Sequence, residues 1–522
     1  MSKAKYKPLS FSTTMRNPER MPGFLKCLAK FENQILTNDL INQIVKEIIG
    51  QKIYKTIFMM NNPLYKETYE DEEGVFEDDQ LEDIIRNSPQ DHKEAGFDKG
   101  WPSRFDTWYK LPKEFGYCNY AINEPILISP LGHMLIDAVF GEEKNESIVQ
   151  KVLLHSLMKY QIKNPYRKNL NDNAPLILLL QVIKYMKDKL VDYKGLSLHE
   201  LSFLICWPNA DAEALGNFII KFRSKYKFGQ YTDEIVYEEC LKILQARPED
   251  RNYYKMSQIT GEAVDEYIRK MRSSGVISLR GNGRFVDYNT IEQEKITYIL
   301  NNYADYKPFE DKQAYFSYMG EIDENILKIA KKLDEKQESS VRQRTLLEYA
   351  SRYDNQAIFI EIQKVCSKKE SVDPVFKLIP GPARFEFLTS IALVQNFKGI
   401  NVCPSYPIDD EGLPTSTAIG GVADIVCKNG DVIASLVEVS LMMGRQQVHQ
   451  EMLPISRHLS TIKEKYQDAF AVFVAPGIHD DVKRYSKFIL NDEHLLIKAY
   501  GANEFMDCIT NYSSLKELAS YG

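Results

Sequence analysis

Two hydrophobic rhythms run through this chain, and the change from one to the other divides it. Up to about residue 380 the apolar positions recur mostly at helical spacing. Phe24, Leu25, Leu28 and Phe31 form one stripe, and Leu40, Ile41, Ile44, Val45, Ile48 and Ile49 a second. Residues 152–160, 175–187 and 212–225 continue the pattern, with Pro175 at a first turn, where its missing N–H is tolerated. Ser197 and Glu200 have the spacing of a capping box, so another helix is expected to begin there. Residues 322–336 and 340–353 also predict helices. Beyond 380 the rhythm shortens. Residues 422–426 and 434–440 are apolar and rich in β-branched residues, and Asn429-Gly430 between them predicts a type I′ hairpin turn. A buried strand at 469–476, a helix at 480–490 and a strand at 495–500 follow. This alternation predicts an α/β core.

Two stretches of the first part depart from the helical rhythm. Residues 117–135 read as strand, turn, strand and the opening of a helix. Residues 257–274 predict a turn and an amphipathic helix, with Ala263, Tyr267, Ile268 and Met271 on its apolar side and Arg269, Lys270 and Arg272 on its surface. Gly275 ends that helix. Residues 276–280 and 284–288 then flank Gly281-Asn282-Gly283 as a β-hairpin. Helix plus hairpin is the pattern of a winged helix, which places a helix in the DNA major groove and a wing on the backbone; the same module also binds proteins. The fold class expected is multidomain α/β: a helical and winged-helix region, suited to DNA recognition, followed by an α/β domain. The expected divisions are 1–145, 146–300, a polar helical linker at 301–380, and 381–522.

Composition changes this picture little. A length of 522 residues suits three or four domains, and 44% hydrophobic residues suffice for ordinary cores. The net charge of −7 does not by itself point to nucleic acid. Part of it is local, because residues 67–79 hold eight carboxylates, most simply a solvated loop. The eight cysteines include no Cys-x-x-Cys pair, which argues against a zinc ribbon and for a reducing, cytoplasmic setting. Neither a signal peptide nor a run long enough to span a bilayer is expected.

Four carboxylates carry the candidate chemistry: Glu386, Asp424, Glu438 and Glu451. Asp424 and Glu438 fall in the two apolar strands, five residues before Asn429 and eight after Gly430. Those counts differ, so a bulge or a longer loop is needed to bring the carboxylates level. Ionised carboxylates in a buried strand are costly unless paired or bound to metal. Magnesium takes one or two carboxylates together with phosphate and water. A strand Asp, a hairpin and a strand Glu therefore suggest a magnesium-dependent phosphodiesterase.

The order of these residues resembles the PD-(D/E)xK nuclease core, although Glu438-Val439-Ser440 lacks the lysine. It is similar to the AlwI and BstNBI group of type IIS restriction and nicking endonucleases. They share a helix Glu in Phe385-Glu386-Phe387-Leu388-Thr389, a strand Asp, a Glu-Val-Ser strand end, and a later Glu before Pro454-Ile455-Ser456-Arg457-His458. Residues 10–20 and 96–110 also resemble the AlwI enzymes. The resemblance implies catalytic roles for Glu386, Asp424, Glu438 and Glu451. It implies Mg2+ held by Asp424 and Glu438, with Glu386 and the Val439 carbonyl as further ligands. The implied substrate is double-stranded DNA, the implied site GGATC, and cleavage falls a fixed distance to one side. A cognate DNA methyltransferase and a transient homodimer on DNA are the implied partners. Candidate DNA contacts are Arg16, Asn17, Arg20, Arg104, Lys110, Arg269, Lys270, Arg272, Arg280 and Arg284. By its residues alone, the tryptophan-rich stretch bearing Arg104 and Lys110 fits a small satellite core better than a nucleic-acid contact. A strand-specific nicking enzyme of the same fold and a non-catalytic winged-helix DNA-binding protein are the alternatives.

Overall fold

The computed structural model describes residues 6–11, 20–71, 74–141, 145–167, 171–227 and 231–520. The chain divides into two compact units. One comprises Met1–Gly141, Ile148–Tyr288 and Glu292–Ala330; the other comprises Glu142–Ser147, Asn289–Ile291 and Lys331–Gly522. The passage at Ala330–Lys331 lies inside the stretch expected as a linker.

The first unit is mainly helical. Its helix Trp101–Glu114 buries Trp101, Phe105, Trp108 and Tyr109 in an aromatic cluster, so the tryptophan-rich stretch forms a core. The capping box at Ser197 forms as spaced: the Ser197 N–H donates to Glu200 Oε2 at 2.7 Å, and the Glu200 N–H donates to Ser197 Oγ at 3.4 Å. Leu196–Ser197 also pairs with the hairpin strand Phe285–Tyr288, making a three-stranded sheet with Ile277–Arg280. That third strand has no local signal, because two residues are too few for a periodicity. Gly275 closes the helix Ala263–Ser273 at φ +80°, and Gly281, Asn282 and Gly283 turn the hairpin with φ of +57°, +58° and +78°. The acidic stretch is not all loop. Glu67 and Glu70 lie on the helix Pro63–Glu70, and Asp78 and Asp79 occupy the first turn of Asp78–Arg86, where the helix dipole favours them. The helix expected over 322–336 is broken: Glu324–Lys328 is one short helix, and Asp334 caps a new one, Glu335–Arg352.

The second unit is built on a five-stranded sheet. Its strands are β1 (Asn401–Pro404), β2 (Ile425–Asn429), β3 (Val432–Val439), β4 (Phe470–Ala475) and β5 (Ile497–Gly501), in the order β5-β4-β3-β2-β1. The β1–β2 and β2–β3 pairs are antiparallel, and β3–β4 and β4–β5 are parallel. Strand β4 is buried along its whole length, as expected of a central strand covered on both faces. Helix α1 (Gly381–Asn396) packs on β1 and β3. Helix α2 (Leu453–Lys463) packs on β3 and β4, through Ile455 and Leu459 against Leu436, Ala471 and Phe473.

The hairpin turn sits one residue later than Asn-Gly predicts. Asn429 pairs with Val432, leaving Gly430 and Asp431 as the loop, and of these only Gly430 has a left-handed φ, +60°. Asn429 therefore ends the strand instead of entering the turn. The displaced turn removes two residues of the mismatch and a bulge removes the third: the β2–β3 register shifts between Cys427 and Lys428, with Ala434 of β3 as the extra residue. Beyond it Ile425 pairs with Val437, which carries Asp424 level with Glu438 at the end of the ladder.

Candidate active site

Asp424 immediately precedes β2, and Glu438 is the penultimate residue of β3. The strand expected from residue 422 begins instead at Ile425, with Val422 exposed in the preceding turn. Two backbone bonds lock the pair. The Val439 N–H donates to Asp424 Oδ2 at 2.8 Å, and the Asp424 N–H donates to Glu438 Oε2 at 3.1 Å. Each carboxylate thus accepts from the backbone of the other's strand. Burial pushes the Asp424 carboxyl well above the usual carboxylate range, and the charges of Glu438 and Glu451 push it further, against the lowering effect of the Val439 N–H.

The remaining carboxylates come from helices. Glu386 lies on α1 and is 2% exposed; its two oxygens accept the Ala418 N–H at 3.3 and 3.1 Å. Glu451 lies in a π-helical turn, Val448–Met452, that leads into α2, with Pro454 in the first turn of the helix. Its Oε1 accepts from the Ser440 hydroxyl at 2.8 Å, and Ser440 Oγ in turn accepts the Met442 N–H at 3.1 Å. His458, on α2, sets Nδ1 3.0 Å from Glu438 Oε1. Glu438 shares its side of β3 with Leu436, the side that faces α2, so the alternation of the strand brings His458 to it. Arg457 is exposed on the same helix.

The structure thus joins Asp424, Glu438, Glu451, Ser440 and His458 by hydrogen bonds or charge, and holds Glu386 by the loop at Ala418. The motif reading gives Ser440 no role. Its one signal is its position, where the lysine of (D/E)-x-K would stand. Among the described residues no three His, Cys, Asp or Glu side chains are arranged to hold a metal ion as they stand. The chemistry of the pair is nonetheless that of a hard-cation site. Two carboxylates forced together repel, and a divalent cation removes the repulsion.

The candidate DNA-contacting residues are scattered in their surroundings. Arg16 and Asn17 lie outside the described residues. Arg20 is exposed, stacks on Phe24 and donates to the Ile53 carbonyl at 3.2 Å. Arg104 donates to the Tyr54 hydroxyl at 3.1 Å and lies 2.8 Å from His92 Nε2, while Lys110 pairs with Glu94 at 2.6 Å. Lys270 and Arg272 correct the expectation of a basic helix surface, since they are only 2% and 1% exposed. The helix Ala263–Ser273 is covered on more than its apolar side, and Lys270 pairs with Glu266 at 3.0 Å beneath Phe11. Arg269 is half-buried. Arg280 is too, and binds Asp287 at 3.2 Å and the Tyr288 carbonyl at 3.0 Å. Arg284 is exposed at the hairpin tip.

Residues 113–356 and 320–491 match the sequence profile of the AlwI restriction endonuclease family. The chain belongs to that family. It is a restriction endonuclease, a nuclease that acts on DNA. Among solved structures, the small subunit of the heterodimeric restriction endonuclease R.BspD6I is 27% identical over 30% of this chain and 76% of its own, with a TM-score of 0.25. The restriction endonuclease FokI aligns over 100% of this chain and 98% of its own, at 10% identity and a TM-score of 0.24. FokI bound to DNA gives 11% identity over 99% and 98%, with a TM-score of 0.22. At these TM-scores none of the three likenesses fixes the fold. No curated protein sequence matches the chain. Among the described residues no helix is long and apolar enough to cross a membrane.

Proposed function

We propose that this AlwI-family enzyme is a type IIS restriction endonuclease. The N-terminal unit recognises a short asymmetric duplex site, and the second unit hydrolyses phosphodiester bonds a fixed distance to one side. The observation that carries the reading is the Asp424–Glu438 pair, brought level by the displaced turn and a bulge at Ala434 of β3, in which burial and the Glu438 charge raise the Asp424 carboxyl. Asp424 and Glu438 hold Mg2+, with the Val439 carbonyl as a further oxygen. When bound, the cation activates water and neutralises charge developing on the phosphate. Glu386 and Glu451 complete the site of what we read as a PD-(D/E)xK-type core, by binding the cation or orienting the water. His458 positions Glu438, and Ser440 fixes the direction of Glu451. The helix Ala263–Ser273 and the hairpin after it act as a winged-helix reader, with Arg284 on the wing. GGATC is the proposed site, and a cognate DNA methyltransferase protects the host.

The test is a digest of sequenced plasmid with magnesium or with EDTA, followed by run-off sequencing of both strands. Discrete magnesium-dependent ends beside GGATC are expected. Ends beside another motif would discard the site and keep the reaction. Nicked circles in place of linear product would select the strand-specific alternative, and tight duplex binding without cleavage would overturn the catalytic reading.

A further inference from the structure

Glu386 is the most enclosed of the four carboxylates, and three residues on α1 and on the segment 405–418 that meets it share an unusual feature. The hydroxyls of Thr389, Tyr406 and Thr417 are buried and find no hydrogen-bond partner among the described residues. Thr389 lies one turn beyond Glu386 on α1. Thr417 immediately precedes Ala418, whose N–H the Glu386 carboxylate accepts. Tyr406 is fully buried, with its ring edge-on to Phe387 at 5.9 Å and the Arg342 guanidinium 5.8 Å from its centre. Burial, above all, holds the proton on the Tyr406 hydroxyl; the Glu386 charge adds to this and Arg342 opposes it. The two groups therefore lie within electrostatic reach of each other.

The segment that carries Tyr406 and Thr417 is tied at both ends to the candidate carboxylates. Ser405, beside Tyr406, donates its N–H to the Asp424 carbonyl at 2.8 Å, and Ala418 donates to Glu386. Buried hydroxyls without partners are rare in native proteins, and each calls for a reason. Phenylalanine and valine would fill the same space with no such defect.

We propose that Tyr406, Thr389 and Thr417 are positioning residues whose hydroxyls hold one water molecule against the Glu386 carboxylate and so fix its direction during cleavage. Three hydroxyls and a carboxylate supply the two to four polar partners that a buried water requires. The inference rests on Glu386 belonging to the cleavage site, as proposed above.

The experiment compares Tyr406→Phe, the double variant Thr389→Val/Thr417→Val and Glu386→Gln with the unaltered full chain. Steady-state cleavage of a plasmid with magnesium and thermal melting without it are both measured. Tyr406→Phe is expected to lower kcat about tenfold or more, the scale of an outer-shell partner. KM for DNA should stay unchanged, and Tm should stay level, because the water keeps its other polar partners. The valine pair should behave alike. A purely structural role for Tyr406 predicts a lower Tm together with the lower kcat, and that result overturns the proposal. Full activity of Tyr406→Phe beside an inactive Glu386→Gln overturns it as well, leaving the role of Glu386 intact. Full activity of Glu386→Gln removes Glu386 from the site and the proposal with it.

Discussion

Replacing Ser440 with alanine removes a hydroxyl that faces two ways. It donates to Glu451 at 2.8 Å and accepts the Met442 N–H at 3.1 Å. A hydrogen bond to a charged group contributes about 1.5–3 kcal/mol, and one between neutral groups about 1 kcal/mol. Ser440 is half-exposed, so water takes over much of what the folded protein loses. The drop in stability should therefore stay below about 1 kcal/mol. Catalysis has no such replacement if Glu451 must point in one direction while the phosphate reacts. Loss of the full charged bond in the transition state, at about 1.4 kcal/mol per tenfold, lowers kcat by about 10- to 150-fold. The assay is single-turnover cleavage of a labelled duplex at saturating enzyme and magnesium, with Tm measured alongside. Ser440→Thr keeps the hydroxyl and should keep most of the rate. If Ser440→Ala cuts at the wild-type rate while Glu451→Gln does not cut, Glu451 needs no support from Ser440 and the reasoning is wrong.

Three further outcomes follow from the structure. The raised Asp424 carboxyl contributes stability that is complete below pH 3.8 and is lost as pH rises through its folded value. Metal-free Asp424→Asn should accordingly melt above wild type at neutral pH, with the gap closing toward pH 3.8. Magnesium should raise the Tm of wild type but not of the variant, and an equal rise in both would refute the metal assignment. Lys159 is buried and donates to the carbonyls of Tyr318 and Glu321, and burial lowers its ammonium from 10.5 to about 8. Stability should fall by about 3 kcal/mol as pH drops from 10.5 through 8, and Lys159→Met should flatten that part of the profile in denaturant unfolding. Gly412 has φ +83°, and a Cβ there would stand 2.2 Å from Thr345 Oγ1. Gly412→Ala should cost about 2 kcal/mol or more, read as a lower Tm, and an unchanged Tm would show that the loop relaxes freely.

Much of the candidate site's layout was legible in the residue order, because its carboxylates sit on local features. Asp424 and Glu438 are found from two β-branched runs around a Gly turn. The mismatch of five residues against eight called for a bulge or a longer loop; the structure meets it by moving the turn one residue and placing a bulge opposite Cys427 and Lys428. The capping box at Ser197 and the glycines at 275, 281 and 283 likewise follow from backbone preferences that act over a few residues. Such signals survive without knowledge of the rest of the chain. Other features are decided by partners far away in sequence. Lys270 and Arg272 read as the polar face of a helix, yet distant segments such as the one bearing Phe11 cover that face, and Glu266 neutralises the lysine. His458 meets Glu438 because α2 packs across β3, and Glu386 accepts the Ala418 N–H because residues 405–418 return to α1. Periodicity reports which way a side chain points along its own element. Only the packed structure decides what stands opposite it, because that depends on burial and pairing summed over segments that the local pattern does not link.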